Sequence, residues 1–381
     1  MKILYLLNAY ANDGPGIMIR RIAEHLLQRE DIEIKTSAIS RGGILEEEFE
    51  KMGIPTSIIG MRNSADWPRY ENLKKFIAEE KFDIVHTNIL RADLFGRRAA
   101  KAAGTPLIIS TEHGIHAWQY RGKMIRRLVK RFYLKTSEYT DAIIAVSDYV
   151  KDSLKKEGVA PEKIVRIYNG VPPEKYKPLS EEEKEKFIRL ISEKTHERVI
   201  GYVGNLIEMK GIRYFIKSLP DIFQKFPRTL ALIAGDGELK KEMEDLASEL
   251  KISENIRFLG KVDTLIPRLM GSLDILVQPS LTESFGLAPA EALSCGVPVI
   301  ASRVGGLSEI ITEGECGYLV PPEDPIALAA RINELLEHNE KRLSFGKAGR
   351  KRVKDKFNDM ETAGQYLLLY RDLLKLKKGS I

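Results

Sequence analysis

The sequence predicts an α/β protein built from two doubly wound, Rossmann-like domains in tandem. Short β-branched runs bounded by turn residues alternate with longer segments of helical period, which is the signature of βαβ units on a parallel sheet. That alternation stops at a polar, proline-containing stretch over residues 169–197 and then starts again. The length, 381 residues, exceeds what one hydrophobic core comfortably serves and suits two domains of ordinary size.

In chain order, the strand candidates of the first half are "KILYLLN" (2–8), "DIVHTN" (83–88), "PLIIST" (106–111), "AIIAVS" (142–147) and "IVRIYN" (164–169). Helical period runs between them over 20–29, 92–103 and 148–157. The second half repeats the scheme with "RVIGYVGN" (198–205), "TLALIAGDG" (229–237), "NIRFLG" (255–260), "DILVQPS" (274–280) and "VPVIAS" (297–302). Its helices are expected over 212–223, 239–250, 288–295 and 325–338. The Glu/Lys-rich seam reads as linker and surface helix, so the N-terminal domain is set at 1–171 and the C-terminal domain at 172–360. The tail 361–381 is an amphipathic helix with no strand behind it, free to return onto the N-terminal domain.

With 43% hydrophobic and 30% charged residues, the chain reads as globular rather than disordered. After Lys2 the apolar run "ILYLL" is too short for a signal peptide and is taken as a first strand. No segment reaches the roughly 18 apolar residues of a spanning helix. The two cysteines, Cys295 and Cys316, form neither a metal-type pair nor a disulfide framework, and Cys295 reads as core, so a cytoplasmic setting is expected. No D-x-D and no His/Cys/Asp/Glu cluster of metal-ligand spacing occurs, so neither metal nor cofactor is expected.

One stretch carries chemistry. In "VQPSLTESFGLAPAEAL" a strand, a turn and a helix with an early proline follow one another, and such helix starts bind anions through backbone amides. Ser284, Phe285, Gly286 and Leu287 would offer those amides, with Gly286 allowing close approach of a phosphate. Glu283 and Glu291 stand eight positions apart, about 12 Å if a continuous helix joined them. That exceeds the about 5–9.5 Å of paired acid/base carboxylates. Two carboxylates flanking a phosphate-binding helix start suit a long, polyhydroxylated anion such as a nucleotide sugar. Alone, the pair reads more readily as an ordinary solvated helix with two surface glutamates.

The pair is not alone. "VGNLIEMKGI", "LIAGDGEL", "IRFLGKV", "PSLTESFGLAPAEALSCGVPVIASRVGGLSEII" and "GYLVPPEDPIALA", in that order, resemble the C-terminal half of the retaining glycosyltransferases of family 4, which have the GT-B fold. "VHTNILRADLFGRRAA", "ISTEHG", "AVSDYV" and "IYNGV" are similar to its N-terminal half, so nearly the whole chain is covered. The resemblance implies two Rossmann-like domains facing each other across a cleft. It implies that Glu291 holds the donor ribose, that Glu283 lies near the donor sugar, and that Lys210 neutralises the donor pyrophosphate. Asn205 departs from the family pattern, where arginine is usual; asparagine can donate a hydrogen bond but brings no charge. His113, in "STEHG", matches a contact to the transferred sugar or a proton relay, His116 is a weaker candidate, and His86 reads as packed. Gly14 and Gly16, in "NDGPGIMIRR", are either a plain turn or part of the cleft lining, the reading the resemblance favours.

The activity so implied is metal-free, retaining transfer of a hexose or N-acetylhexosamine, with a UDP-sugar favoured as donor, to a glycan or lipid-linked acceptor in cell-surface polysaccharide or glycolipid synthesis. A nucleotide-sugar epimerase of the same fold and a non-catalytic nucleotide-sugar binder remain as alternatives. Net charge is +6, and all of the excess lies in residues 1–170, with 28 Lys+Arg against 22 Asp+Glu. Seven of those basic residues fall in "RGKMIRRLVKRFYLK", residues 121–135. As a helix this segment sets Lys123, Arg126, Arg127, Lys130 and Arg131 opposite Met124, Ile125, Leu128, Val129 and Phe132. Such a helix suits docking on an anionic inner leaflet as a peripheral protein, or packing its apolar face on the N-terminal sheet with the basic face solvated. Nucleic acid is a poor partner, since aromatic interleaving is missing.

Overall fold

The structure is a computed structural model and describes residues 1–63, 65–114, 123–262 and 264–378. The chain divides into two compact units, Met1–Gly170 with Asp359–Ile381, and Val171–Asn358.

The first unit is a six-stranded parallel sheet of β1 (Lys2–Leu7), β2 (Glu33–Ala38), β3 (Ile84–Asn88), β4 (Leu107–Glu112), β5 (Ala142–Ala145) and β6 (Ile164–Arg166), in the order β2-β1-β3-β4-β5-β6. Helices cover both faces, so even polar strand residues are buried and must find partners. In β3, His86 Nδ1 lies 2.6 Å from Tyr370 Oη and Nε2 lies 2.7 Å from Thr111 Oγ1. Burial pushes the His86 imidazole down to about 3, which keeps it neutral. Tyr370 belongs to the last helix, Asp359–Lys378, which also meets this unit through Asp359 Oδ2, 2.8 Å from His25 Nε2. Leu4, Leu6, Val85 and Ile108 form the core with Leu73 and Ala99.

The second unit repeats the plan with β7 (Arg198–Val203), β8 (Thr229–Ala234), β9 (Ile256–Gly260), β10 (Ile275–Gln278), β11 (Val299–Ser302) and β12 (Gly317–Val320), all parallel, in the order β12-β11-β10-β7-β8-β9. Ile200, Ile233, Val277 and Ile300 on the strands share a core with Phe215, Leu219 and Ile332 on the helices. The α/β class and the doubled parallel sheet agree with the sequence pattern.

Three differences have local causes. β2, "EIKTSA", was not expected as a strand: its charges sit at outward positions of an edge strand, with Lys35 Nζ donating to Glu80 at 2.8 Å. β12, "GYLV", is four residues long and opens on glycine, which weakens the strand signal. The first helix is Gly14–Leu26 and not 20–29, because Asp13 caps it by accepting from the Gly16 amide at 3.0 Å. In the seam, Glu181–Ile191 is helical, opened by a reciprocal capping box between Ser180 and Glu183.

Candidate active site

In open parallel sheets, ligands bind beyond the carboxyl ends of the strands where the strand order reverses. In the second unit that point lies between β7 and β10, which are sheet neighbours although β8 and β9 separate them in sequence. The loops that follow these two strands are therefore brought side by side. Leu281 N donates to Met209 O at 2.9 Å, stitching them together. Gly211, at φ 64°, approaches so closely that a Cβ there would lie 1.9 Å from Pro279 O.

This contact aims two charged side chains at each other. Lys210, at the end of the 3₁₀ turn Glu208–Lys210, donates through Nζ to Glu283 Oε2 at 2.7 Å. Ser280 Oγ donates to the same oxygen at 3.3 Å and accepts from Gln278 Nε2 at 2.9 Å. Both members of the pair are largely shielded, with 24% and 13% of their side chains exposed. A shielded ion pair is costly to break by removing one partner, since the other charge is then left poorly solvated. The loop after β11 joins in as Gly306 N donates to Glu283 O at 2.9 Å.

Glu283 stands in the loop, because the helix begins only at Leu287 and runs to Ser294. The continuous-helix spacing considered for Glu283 and Glu291 therefore does not apply. Gly286 caps the helix at φ 107°, and a Cβ there would fall 2.7 Å from Leu307 Cδ2, so both conformation and space call for glycine. Its lack of a side chain leaves the first-turn amides without a side-chain cap. Phe285 points inward and meets the Phe357 ring edge-on at 5.6 Å, which anchors the turn. Glu291 lies inside the helix and is only 7% exposed. Asn205 is exposed, and its backbone oxygen accepts from Tyr202 Oη at 2.8 Å. Burial, with the Glu283 charge adding to it, pushes the Tyr202 phenol up. Ser280, Gln278 and Tyr202 were missed from sequence; Ser280, three residues before Glu283, was the one legible signal.

In the first unit His113 directly follows β4, and its Nε2 lies 3.1 Å from Oδ1 of Asn88, the last residue of the neighbouring β3. An amide oxygen only accepts, so Nε2 carries the proton and Nδ1 the lone pair. Nδ1 is enclosed and has no partner among the described residues. Burial holds the ring neutral, down to about 3. Gly14 and Gly16 are helical rather than a loop, which corrects the turn reading: the Gly16 amide is taken by Asp13, and a Cβ on Gly16 would strike Leu45 at 2.2 Å. His116 lies outside the described residues.

The basic segment is the helix Lys123–Ser137, with residues 121 and 122 outside the described residues. Its buried side carries Tyr133, Thr136 and Ser137, while Met124 is 75% and Leu128 64% exposed. Met124, Ile125, Leu128 and Phe132 are thus exposed, while Val129 is half-buried. Lys130 pairs with Glu157 at 2.6 Å, whereas Arg126, Arg127 and Arg131 are exposed. Trp67, 56% exposed, extends the patch through Arg98, whose guanidinium lies 5.7 Å from its ring and 5.3 Å from that of Phe132.

Residues 12–175 match the family described as Glycosyltransferase Family 4, and residues 183–352 match Glycosyl transferases group 1. An uncharacterized glycosyltransferase of Methanocaldococcus jannaschii is 34% identical over 289 residues, 71% of this chain and 73% of that protein. The chain belongs to glycosyltransferase family 4. The enzyme is also 28% identical, over 92% of its own length and 91% of the relative's, to the UDP-Gal:alpha-D-GlcNAc-diphosphoundecaprenol alpha-1,3-galactosyltransferase of Escherichia coli. Its GT-B fold is shared with Anabaena HepE, solved in complex with UDP-glucose, at TM-score 0.85 and 22% identity over the whole of both chains.

Proposed function

We propose that the enzyme transfers a hexose or N-acetylhexosamine from a nucleotide-diphospho-sugar, with UDP-sugars favoured, to a glycan or lipid-linked acceptor with retention at the anomeric carbon. The observation that carries this reading is the Lys210–Glu283 pair at the β7/β10 reversal. An incoming diphosphate competes with Glu283 for the ammonium, because it brings more negative charge to the cation than a single carboxylate already shared with Ser280. Binding then moves Lys210 onto the leaving pyrophosphate and frees the Glu283 carboxylate for hydroxyls of the donor sugar. The turn Ser284, Phe285, Gly286 and Leu287 supplies amides to the phosphates, Glu291 accepts from the ribose hydroxyls, and Asn205 adds a neutral donor. His113 is the imidazole of the first unit proposed to meet the transferred sugar. The named activities of the relatives and the UDP-glucose complex of HepE support a uridine donor. Cell-surface polysaccharide or glycolipid synthesis is the proposed setting.

A panel of UDP, GDP, ADP and their sugar conjugates, with and without magnesium, tests this by calorimetry and thermal shift. UDP and one of its sugars are expected to raise Tm, indifferent to magnesium. Stabilisation by GDP-sugars alone would move the donor to guanine, and no stabilisation by any nucleotide would overturn the reading.

The exposed Met124, Leu128, Phe132 and Trp67 beside Arg126, Arg127 and Arg131 support peripheral docking on an anionic leaflet, where each basic residue adds about 1 kcal/mol near the surface. Among the described residues no helix is long and apolar enough to cross a membrane. Flotation is expected to recover more enzyme with anionic than with neutral liposomes, and Leu128→Glu to reduce that recovery. Equal recovery on both lipids would sink membrane docking.

A further inference from the structure

Beneath the turn that carries His113 lies a buried charged cluster with no part in the reading above. Glu112 ends β4 and is almost fully buried. Tyr133 Oη donates to its Oε2 at 3.1 Å, and Glu112 directly precedes His113 in the chain. Tyr133 comes from the helix Lys123–Ser137, so the residue next to His113 is tied to that helix. The cluster continues into the helix Leu90–Ala102. Arg97 stacks over the Tyr133 ring at 4.5 Å from its centroid, donates through Nε to Ser110 Oγ at 2.7 Å, and lies 3.4 Å from Asp93 Oδ1. Thr87 Oγ1 donates to Asp93 Oδ1 at 2.6 Å.

We propose that Glu112 is a positioning residue for His113, its carboxyl tying the imidazole's turn to the helix Lys123–Ser137 through Tyr133. The turn is then held from two sides: Asn88 grips the ring at Nε2, and Tyr133 holds the carboxyl of the preceding residue, Glu112. Without the second hold the ring keeps its bond to Asn88 but loses the fixed backbone that aims it. This inference rests on the proposed role of His113.

Charge balance makes the tie sensitive to pH. Glu112 is faced by Asp93 and Arg97 from one helix, by Tyr133 from another and by its neighbour His113, so two carboxyls share one guanidinium. Burial first, and then the Asp93 charge, push Glu112 up to about 8. A folded-state pKa raised above the unfolded value gives stability that is complete below the ordinary carboxylate range and is lost as pH rises through about 8.

Tyr133→Phe, Glu112→Ala and Glu112→Gln, with ¹⁵N-labelled histidine, test the tie. Tyr133→Phe and Glu112→Ala are expected to shift the His113 imidazole signals and lower kcat about 10- to 100-fold, with UDP affinity unchanged. Glu112→Gln, which keeps the shape of the neutral carboxyl, is expected to retain kcat at pH 7 and to lose less Tm than the parent between pH 5 and pH 9. Unmoved His113 signals in Tyr133→Phe, a variant that removes a single hydroxyl, would overturn the proposal whatever His113→Ala does to turnover. If His113→Ala leaves kcat intact while Tyr133→Phe still moves those signals, the tie is supported and the reading of His113 falls instead.

Discussion

Lys210→Ala is expected to lower kcat by about 10²- to 10³-fold, the loss that follows removal of one preorganised group facing transition-state charge. Two effects add. The departing nucleoside diphosphate loses the cation that would meet its growing charge, with Asn205 offering no charge in compensation. Glu283 also loses its partner at 2.7 Å and stays as a shielded, unpaired carboxylate that repels the diphosphate. Lys210→Ala with Glu283→Gln should therefore bind UDP better than Lys210→Ala alone, while turnover stays low. Steady-state kinetics and calorimetry on the three variants check this. A single variant with kcat within a few-fold of the parent would remove Lys210 from the mechanism.

Glu291→Ala is expected to act on affinity instead. A carboxylate accepting from two ribose hydroxyls makes charge-assisted bonds of about 1.5–3 kcal/mol each, so the UDP Kd should rise by at least about 100-fold while kcat at saturating donor changes little. Because Glu291 is buried, Glu291→Gln is the companion variant that separates lost binding from a destabilised helix. Glu283→Ala should show the opposite split, with turnover falling and UDP affinity nearly kept. Equal loss of UDP affinity in Glu283→Ala and Glu291→Ala would contradict the division of one ligand between its ribose end and its sugar end.

Much of this architecture was open to a reader of the sequence. Buried parallel strands such as "TLALIA" are apolar on both faces and declare themselves by composition. The ordered motifs of the second half carried the family resemblance, with Lys210, Glu283 and Glu291 among them. What escaped was short, edge-lying or non-local. β2 and β12 carry charges or glycine where pattern reading looks for apolar alternation. Gly14 and Gly16 read as a turn because the Asp13 cap that makes them helical is a matter of geometry. The exposed Met124 and Leu128 could not be told from packed ones, because the helix turns Tyr133 inward instead.

The sequence by itself determined the class and the doubled sheet, since both follow from local composition and periodicity repeated along the chain, and its ordered motifs carried the resemblance to the family. Only the tertiary structure decided which residues meet. The 73 positions between Lys210 and Glu283 close to 2.7 Å because β10 pairs with β7. Glu112 and Tyr133 come together because β4 and the helix Lys123–Ser137 enclose the same buried charges. Contacts of that kind are set by strand order and by the need to pair every buried polar group, and neither is written in any one stretch of the chain.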